Sequence, residues 1–215
     1  VSIVNWTTVA VIAKQPIPGK VKTRLIGVGV TAEDAADLAR AALRDTLDEL
    51  AAMPVQHRTL ILDGEYESCM SGWTIQRQVA GLLDKRLSAA FDGLPTGPAV
   101  LVGMDTPQLE ARDLAIDGSG WDACLGPATD GGYWAIGFAD PSMARSVISG
   151  VPMSRADTGA VQLSRMRQAG LRVALLPTLT DVDTALSAAE VAESCPDSRF
   201  AGAWRTLGAP VGAIT

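Results

Sequence analysis

Histidine is nearly missing from this sequence. His57 is the one imidazole among 215 residues, and it sits in PVQHR (54–58), a connection ahead of an apolar run. A histidine-built zinc or iron centre is excluded by count. No GxSxG elbow is present either, so a Ser–His–Asp hydrolase has no parts to stand on. The three cysteines, Cys69, Cys124 and Cys195, are far apart and form no CxxC pair. That arrangement fits neither a zinc site nor a disulfide framework, and the thiols read as reduced ones in a cytosolic protein.

Other absences narrow the class further. No apolar run approaches the ~20 residues that span a bilayer. The first residues carry no basic stretch before their short apolar segment, so they read as a strand and not as a signal peptide. The expectation is a soluble, cytoplasmic protein. A basic excess is missing too, with 18 Lys and Arg against 24 Asp and Glu and a net charge of −6. A nucleic-acid binder would carry a basic footprint, although a local cationic cluster for a small anion is compatible with this balance. Neither GxxxxGK[ST] nor GxGxxG occurs.

What is present is an ordinary globular composition, 47% apolar and 20% charged. A chain of this length buries roughly 70% of its unfolded surface and needs no disulfide or structural metal to fold. Short apolar runs at residues 8–13 (TVAVIA), 59–63 (TLILD), 99–103 (AVLVG) and 172–176 (RVALL) read as buried strands. Longer helical patterns alternate with them. After Thr31, residues Ala35, Leu38, Ala39, Ala42, Leu43, Leu47 and Leu50 recur at helical spacing on one face, and Thr31 with Asp34 forms a capping-box pattern. Further helices are expected at 79–91, 141–149, 158–169 and 184–193. Such alternation predicts a mostly parallel sheet covered on both faces. Residues 121–128 and 133–138, joined by Thr129-Asp130-Gly131-Gly132, predict an antiparallel hairpin within it. One domain is expected over residues 1–207, with 208–215 as a flexible tail.

Four segments can carry chemistry. AKQPIPGKVKTRL (13–25) follows a predicted strand and gathers Lys14, Lys20, Lys22 and Arg24, shaped by Pro16, Pro18 and Gly19. Ligands of open parallel sheets bind at the carboxyl ends of strands, where these cations would offset phosphate charge; a solvated basic loop is the plainer reading. In GMDTP (103–107) a strand runs straight into Asp105. That carboxylate is either a ligand for a hard divalent cation or the cap of a following helix with Pro107 in its first turn. In DVDT (181–184), Asp181 and Asp183 at i and i+2 can converge on one ion if the segment is extended. Alternatively, Asp183 caps the helix that starts near Thr184. GPATDGGYW (126–134) offers adjacent glycines that allow close backbone approach to a ligand, or simply a turn. Aspartates, lysines and an arginine are the parts for metal-assisted transfer involving phosphates.

In this order the segments resemble the DUF2064 family of small bacterial GT-A-type proteins, proposed glycosyltransferases. The carriers are AKQPIPGKVKTRL, DTL (45–47), RLSAAF (86–91), GMDTP, GPATDGGYWAIGF (126–138) and DVDT, so the likeness runs from about Thr8 to Ala188. The family looks related to molybdopterin and phospholactate nucleotidyltransferases. The resemblance implies a GT-A three-layer α/β/α sandwich with a mostly parallel mixed sheet. It implies a nucleotide gripped by Ala13, Lys14, Pro18, Gly19, Lys20, Lys22 and Arg24. Asp105, Asp181 and Asp183 would hold Mg²⁺ or Mn²⁺, while Asp130, Gly131, Gly132 and Tyr133 would line the acceptor side. Asp105, Asp183, Lys22 and Arg24 would carry the catalysis. Two elements depart from the family pattern, Gly81-Leu82-Leu83-Asp84 and Met153-Ser154-Arg155, both on the acceptor side.

The expected activity is transfer of a sugar from a nucleotide diphosphate sugar to a small acceptor. A nucleotidyltransferase coupling an NTP to a phosphorylated small molecule is the alternative. A non-catalytic nucleotide or sugar-phosphate binding module is a third reading.

Overall fold

The computed structural model describes residues 5–27, 29–65, 71–116 and 120–208. Cys69 and most of the expected tail, residues 209–215, lie outside them. Seven strands form one sheet: β1 (Thr8–Lys14), β2 (His57–Asp63), β3 (Thr74–Arg77), β4 (Ala99–Gly103), β5 (Ala123–Pro127), β6 (Tyr133–Phe138) and β7 (Val173–Leu175). Their spatial order is β3-β2-β1-β4-β6-β5-β7. All pairings are parallel except the two made by β6. The fold is therefore α/β with a mostly parallel mixed sheet, as expected. The antiparallel strand is the return arm of the expected hairpin, with Ala128 N–H donating to Gly132 O and Gly131 N–H donating to Ala128 O.

The longest helix, α1 (Ala32–Ala51), begins at the expected capping box: Asp34 N–H donates to Thr31 Oγ1, and Thr31 N–H donates to Asp34 Oδ2. The apolar residues of its expected stripe are fully buried, but they divide between two clusters. Ala39, Leu43, Leu47 and Leu50 meet one face of the sheet together with Val9, Val11 and Val102. Ala35, Leu38 and Ala42 instead meet α5 (Ala185–Ser194) and α6 (Arg199–Thr206). On the other sheet face lie α2 (Leu83–Asp92), α3 (Ala144–Ile148) and α4 (Thr158–Gln168), packed on Ala10, Leu101, Ile136 and Phe138.

Several elements differ from expectation, each for a physical reason. The helix expected from residue 79 starts at Leu83 because Gly81, at φ 126°, holds a backbone geometry no helix contains. The helix expected over 141–149 is a 3₁₀ turn, Pro141–Met143, followed by the five-residue α3. Strand β3 and helix α6 were not expected. TIQR is a polar edge strand with no inward alternation. Helix α6 has only eight residues, and much of its start is fixed from a distance: Asp45 of α1 accepts hydrogen bonds from Arg199 N–H and Phe200 N–H. Among the described residues no helix is long and apolar enough to cross a membrane.

Candidate functional site

The parallel strands β1, β4, β5 and β7 end at one edge of the sheet, and β6 begins there. The segments following those ends enclose a cleft of about 660 Å³. After β1 the chain makes two tight turns, with Lys20 N–H donating to Ile17 O and Leu25 N–H donating to Lys22 O. Val21 and Leu25 are buried anchors on either side of Lys22. Lys22 itself adopts a left-handed backbone, φ 47°, uncommon for a residue with a side chain. The combination turns its side chain inward, leaving 6% exposed.

A lysine so enclosed needs partners, and they come from two other strand ends. Its ammonium lies 2.6 Å from Asp105 Oδ1 and 3.7 Å from Asp183 Oδ1, and it donates to the Val182 carbonyl. Arg24, largely exposed, reaches Asp183 Oδ2 at 3.2 Å. The acidic segment is delivered by the chain leaving β7, which stays beside the hairpin through Thr129 N–H donating to Leu179 O. It is then pinned to β4 by Val182 N–H donating to Asp105 O at 2.9 Å. Val182 is fully buried in the third cluster, while Asp181 and Asp183 both face the cleft. That alternation is what an extended i, i+2 pair produces. Neither aspartate reading as a helix cap survives. Thr184 is the N-cap of α5, and no helix starts at Asp105; the next regular element is a 3₁₀ turn at Ala111–Leu114 capped by Glu110.

Asp181 is the electrostatic anomaly. Its pKa is pushed up to about 7, first by burial and then by the neighbouring charges of Asp105, Asp130 and Asp183, with Lys22 opposing. Among the described residues none donates a hydrogen bond to it. The cluster therefore holds more negative charge than its cations offset, and the donors are the carboxylate oxygens that hard divalent ions prefer. In donor type and charge the residues fit a Mg²⁺ or Mn²⁺ ion. As the side chains stand, however, no three acidic, cysteine or histidine groups among the described residues enclose an ion. The ammonium of Lys22 stands between Asp105 and Asp183 instead.

The hairpin supplies the opposite wall. Asp130 Oδ1 accepts from Gly132 N–H at 2.8 Å, and Gly131 O accepts from Gly159 N–H of α4 at 2.8 Å. Gly131, at φ 88°, is required here: a Cβ would stand 1.8 Å from the Ala156 carbonyl oxygen. Tyr133 lines the cleft and its hydroxyl points to Met153 Sδ at 3.8 Å. Burial, with a contribution from Asp84, raises its pKa and keeps it a protonated donor. Trp134 touches the cleft lining but is 2% exposed and held in the core, its indole N–H donating to Pro177 O.

Of the residues expected to bind nucleotide, Ala13, Lys14, Lys20, Lys22 and Arg24 line the cleft. Pro18 and Gly19 are exposed at the loop tip outside that lining. Asp130, Gly132 and Tyr133 line it; Gly131 shapes the turn behind them. Among the lining residues not foreseen as site residues, Gln78 and Arg86 are polar and joined to each other. Gln78 donates to Ala13 O and Ile61 O, and Arg86 joins it to Asp63. Arg86 was visible only as the start of RLSAAF, and Gln78 lies in a polar stretch with no pattern to single it out.

Comparison with known proteins agrees with this architecture. The model of the family described as "uncharacterized protein conserved in bacteria (DUF2064)" matches residues 46–155, just over half of the chain. The chain belongs to the DUF2064 family. Among curated proteins nothing matches the sequence. Among solved structures, it is similar to a proposed nucleotide-diphospho-sugar transferase from Desulfovibrio desulfuricans G20, at 28% identity and TM-score 0.81, covering 94% of this chain and 95% of that one. A nucleotidyl transferase from Methanothermobacter thermautotroptrophicus superposes at TM-score 0.56 and 16% identity, covering 93% and 99%. A cytidylyltransferase from Leptospira borgpetersenii serovar Hardjo-bovis does so at 0.54 and 12%, covering 98% and 100%. At those two identities the likeness is one of fold. This DUF2064 chain thus shares the fold of nucleotide-sugar and nucleotidyl transferases, and its cleft lies at the carboxyl edge of the sheet, where open α/β sheets bind ligands.

Proposed function

We propose that this DUF2064 protein is a metal-dependent transferase that moves a sugar from a nucleotide diphosphate sugar to a small acceptor. The observation that carries the reading is the convergence of Lys22, Asp105 and Asp183 from three separate segments at one sheet edge. Its likeness to the Desulfovibrio desulfuricans G20 protein over nearly the whole chain supports the donor class.

In this reading the diphosphate lies along Lys14, Lys20, Lys22 and Arg24. Lys22 and Arg24 place positive charge where negative charge grows on the leaving diphosphate, held there before reaction by their carboxylate partners. Asp105, Asp181 and Asp183 would hold Mg²⁺ or Mn²⁺, which when bound supplies a Lewis acid for the phosphate oxygens. Asp130 and Tyr133 orient the acceptor from the hairpin side, Tyr133 as a hydrogen-bond donor.

The same edge suits attack of a substrate phosphate on the α-phosphorus of an NTP, and the fold is shared with nucleotidyltransferases. Two panels separate the readings: NTPs, and nucleotide diphosphate sugars, each with Mn²⁺ and with EDTA. Thermal stabilisation by a nucleotide diphosphate sugar in Mn²⁺, lost in EDTA, and release of nucleoside diphosphate are expected. Pyrophosphate release from an NTP would overturn sugar transfer in favour of nucleotidyl transfer. Equal stabilisation in Mn²⁺ and EDTA would remove the metal from the reading.

A further inference from the structure

Behind its charged rim the cleft has a floor of different chemistry. Ile12 lies in β1, the strand between β2 and β4, where burial on both faces is the rule, yet Ile12 is partly exposed. The cause lies next to it. Its partner across the sheet is Gly103 of β4, which has no side chain. A Cβ built there meets nothing nearer than the Trp134 carbonyl oxygen at 3.8 Å. The bare position opens the sheet face on the side of α2.

The walls of this recess are apolar. Leu83, in the first turn of α2, is 41% exposed and lines the cleft beside Tyr133 and Met153. Leu82, the residue before it, is 74% exposed. Leu83, left partly in water in the lining of the cleft, contributes little to the fold, and an apolar recess with few polar groups is how small-molecule sites are built.

Two of the polar residues near the recess are already committed. Gln78 spends its amide on Ala13 O and Ile61 O and its carbonyl on Arg86, which is paired to Asp63. Tyr133 is different, since its hydroxyl meets only the weak Met153 acceptor. A nucleobase placed here would leave several edge groups unpaired, at ~1–3 kcal/mol each. A hydrocarbon or simple aromatic group has no such edges.

We propose that the recess over Ile12 and Gly103 is the acceptor subsite, and that the acceptor has an apolar body, aromatic or branched alkyl. Its nucleophilic end faces Tyr133 and the acidic edge. This assignment rests on the transferase reading above.

The test uses the neutral naphthalene dye Prodan, whose emission shifts to the blue in apolar surroundings, titrated into the full chain. Saturable, blue-shifted binding is expected in the wild type. Gly103→Val, which fills the floor, and Leu83→Gln, an exposed wall position that leaves folding intact, should each weaken it at least tenfold. Nucleotide diphosphates with Mn²⁺ should leave the dye in place. No saturable binding, or wild-type affinity in Leu83→Gln, would overturn the recess. Displacement of the dye by free nucleosides would give the recess to the base and overturn the acceptor assignment. Thermal stabilisation by nucleotide diphosphate sugars, measured alongside, reports separately on the transferase reading.

Discussion

Lys22 and Asp105 form the inner ion pair of the cleft, 2.6 Å apart, with the lysine almost wholly enclosed and the aspartate two-fifths exposed. The pair joins the loop after β1 to the end of β4 and sets Lys22 between the carboxylates proposed to hold a metal. Removing either member has distinguishable consequences.

Lys22→Met takes away the one inner cation and leaves Asp105 and Asp183 facing each other. Breaking a fully buried pair costs ~3–5 kcal/mol; with both carboxylates partly exposed, a loss of about 1–3 kcal/mol is expected. Urea unfolding at pH 8 measures it. Mn²⁺ should restore stability more in this variant than in the wild type, because the ion takes the place of the ammonium. Nucleotide affinity should fall at least tenfold. A Mn²⁺ response no larger than that of the wild type would take the metal away from this cluster.

Asp105→Asn should leave the fold intact, because the bond from Val182 N–H goes to the Asp105 backbone oxygen. Because Lys22 keeps Asp183 and the Val182 carbonyl, the loss should be comparable to that of Lys22→Met, ~1–3 kcal/mol, at about 2–4 °C of melting temperature per kcal/mol in a domain of this size. Stabilisation by a nucleotide diphosphate sugar with Mn²⁺ should disappear. Retained stabilisation would show that the carboxylate serves the pair with Lys22 alone.

Asp181 predicts an unusual pH dependence. The unfolded chain gives up this proton near 3.8, whereas the folded protein holds it to about 7. Between those values the folded state binds the proton that the unfolded state has released, so this group's contribution to stability falls as pH rises from about 4 to 7. Asp181→Asn should flatten that slope and raise stability at pH 8 by about 1–3 kcal/mol, since each tenfold change in proton affinity is ~1.4 kcal/mol. Metal affinity of the wild type should increase over the same range, as the carboxylate becomes ionised. Urea unfolding across pH 4–8 checks the first claim, and Mn²⁺ titration checks the second.

Gly131→Ala combines a left-handed backbone with a Cβ 1.8 Å from the Ala156 carbonyl oxygen. It should destabilise by at least ~1–3 kcal/mol, the range for a strained non-glycine backbone. Gly132→Ala, whose Cβ would meet only the Asp130 side chain, nearest at Oδ1 at 3.0 Å, should cost less. Comparable unfolding midpoints for the two would mean the hairpin is not held against α4 as described.

The elements most legible from sequence were those whose burial follows a simple period. β1, β2 and β4 are apolar on both faces, and α1 carries its cap and its stripe together. TIQR of β3 and the short α6 carry no such period, and α6 owes its start to Asp45, far away in the chain, as well as to its Ser198 cap. In the cleft, residue types and family resemblance pointed to Lys22, Arg24, Asp105, Asp181 and Asp183. Which cation turns inward was not legible, because it depends on the left-handed backbone at Lys22 and the anchors Val21 and Leu25. Nor was the fate of Trp134 in GGYW, which the bulge at Gly126 and Pro127 sends into the core. The proton on Asp181 depends on neighbours from three other segments, which no local pattern reveals.

Residues 181–183 reach the cleft only after every strand has been laid down, and Val182 is held by the same cluster that docks α5 and α6 on α1. During synthesis the cationic loop and Asp105 emerge early, without the acidic pair that completes the site. A chain cut short before residue 181 contains the residues of the seven described strands and lacks the proposed acidic pair. In the proposed reading the acidic pair is thus the last part of the site to be made, and a chain that has not yet reached it would lack two of the three carboxylates proposed to hold the metal.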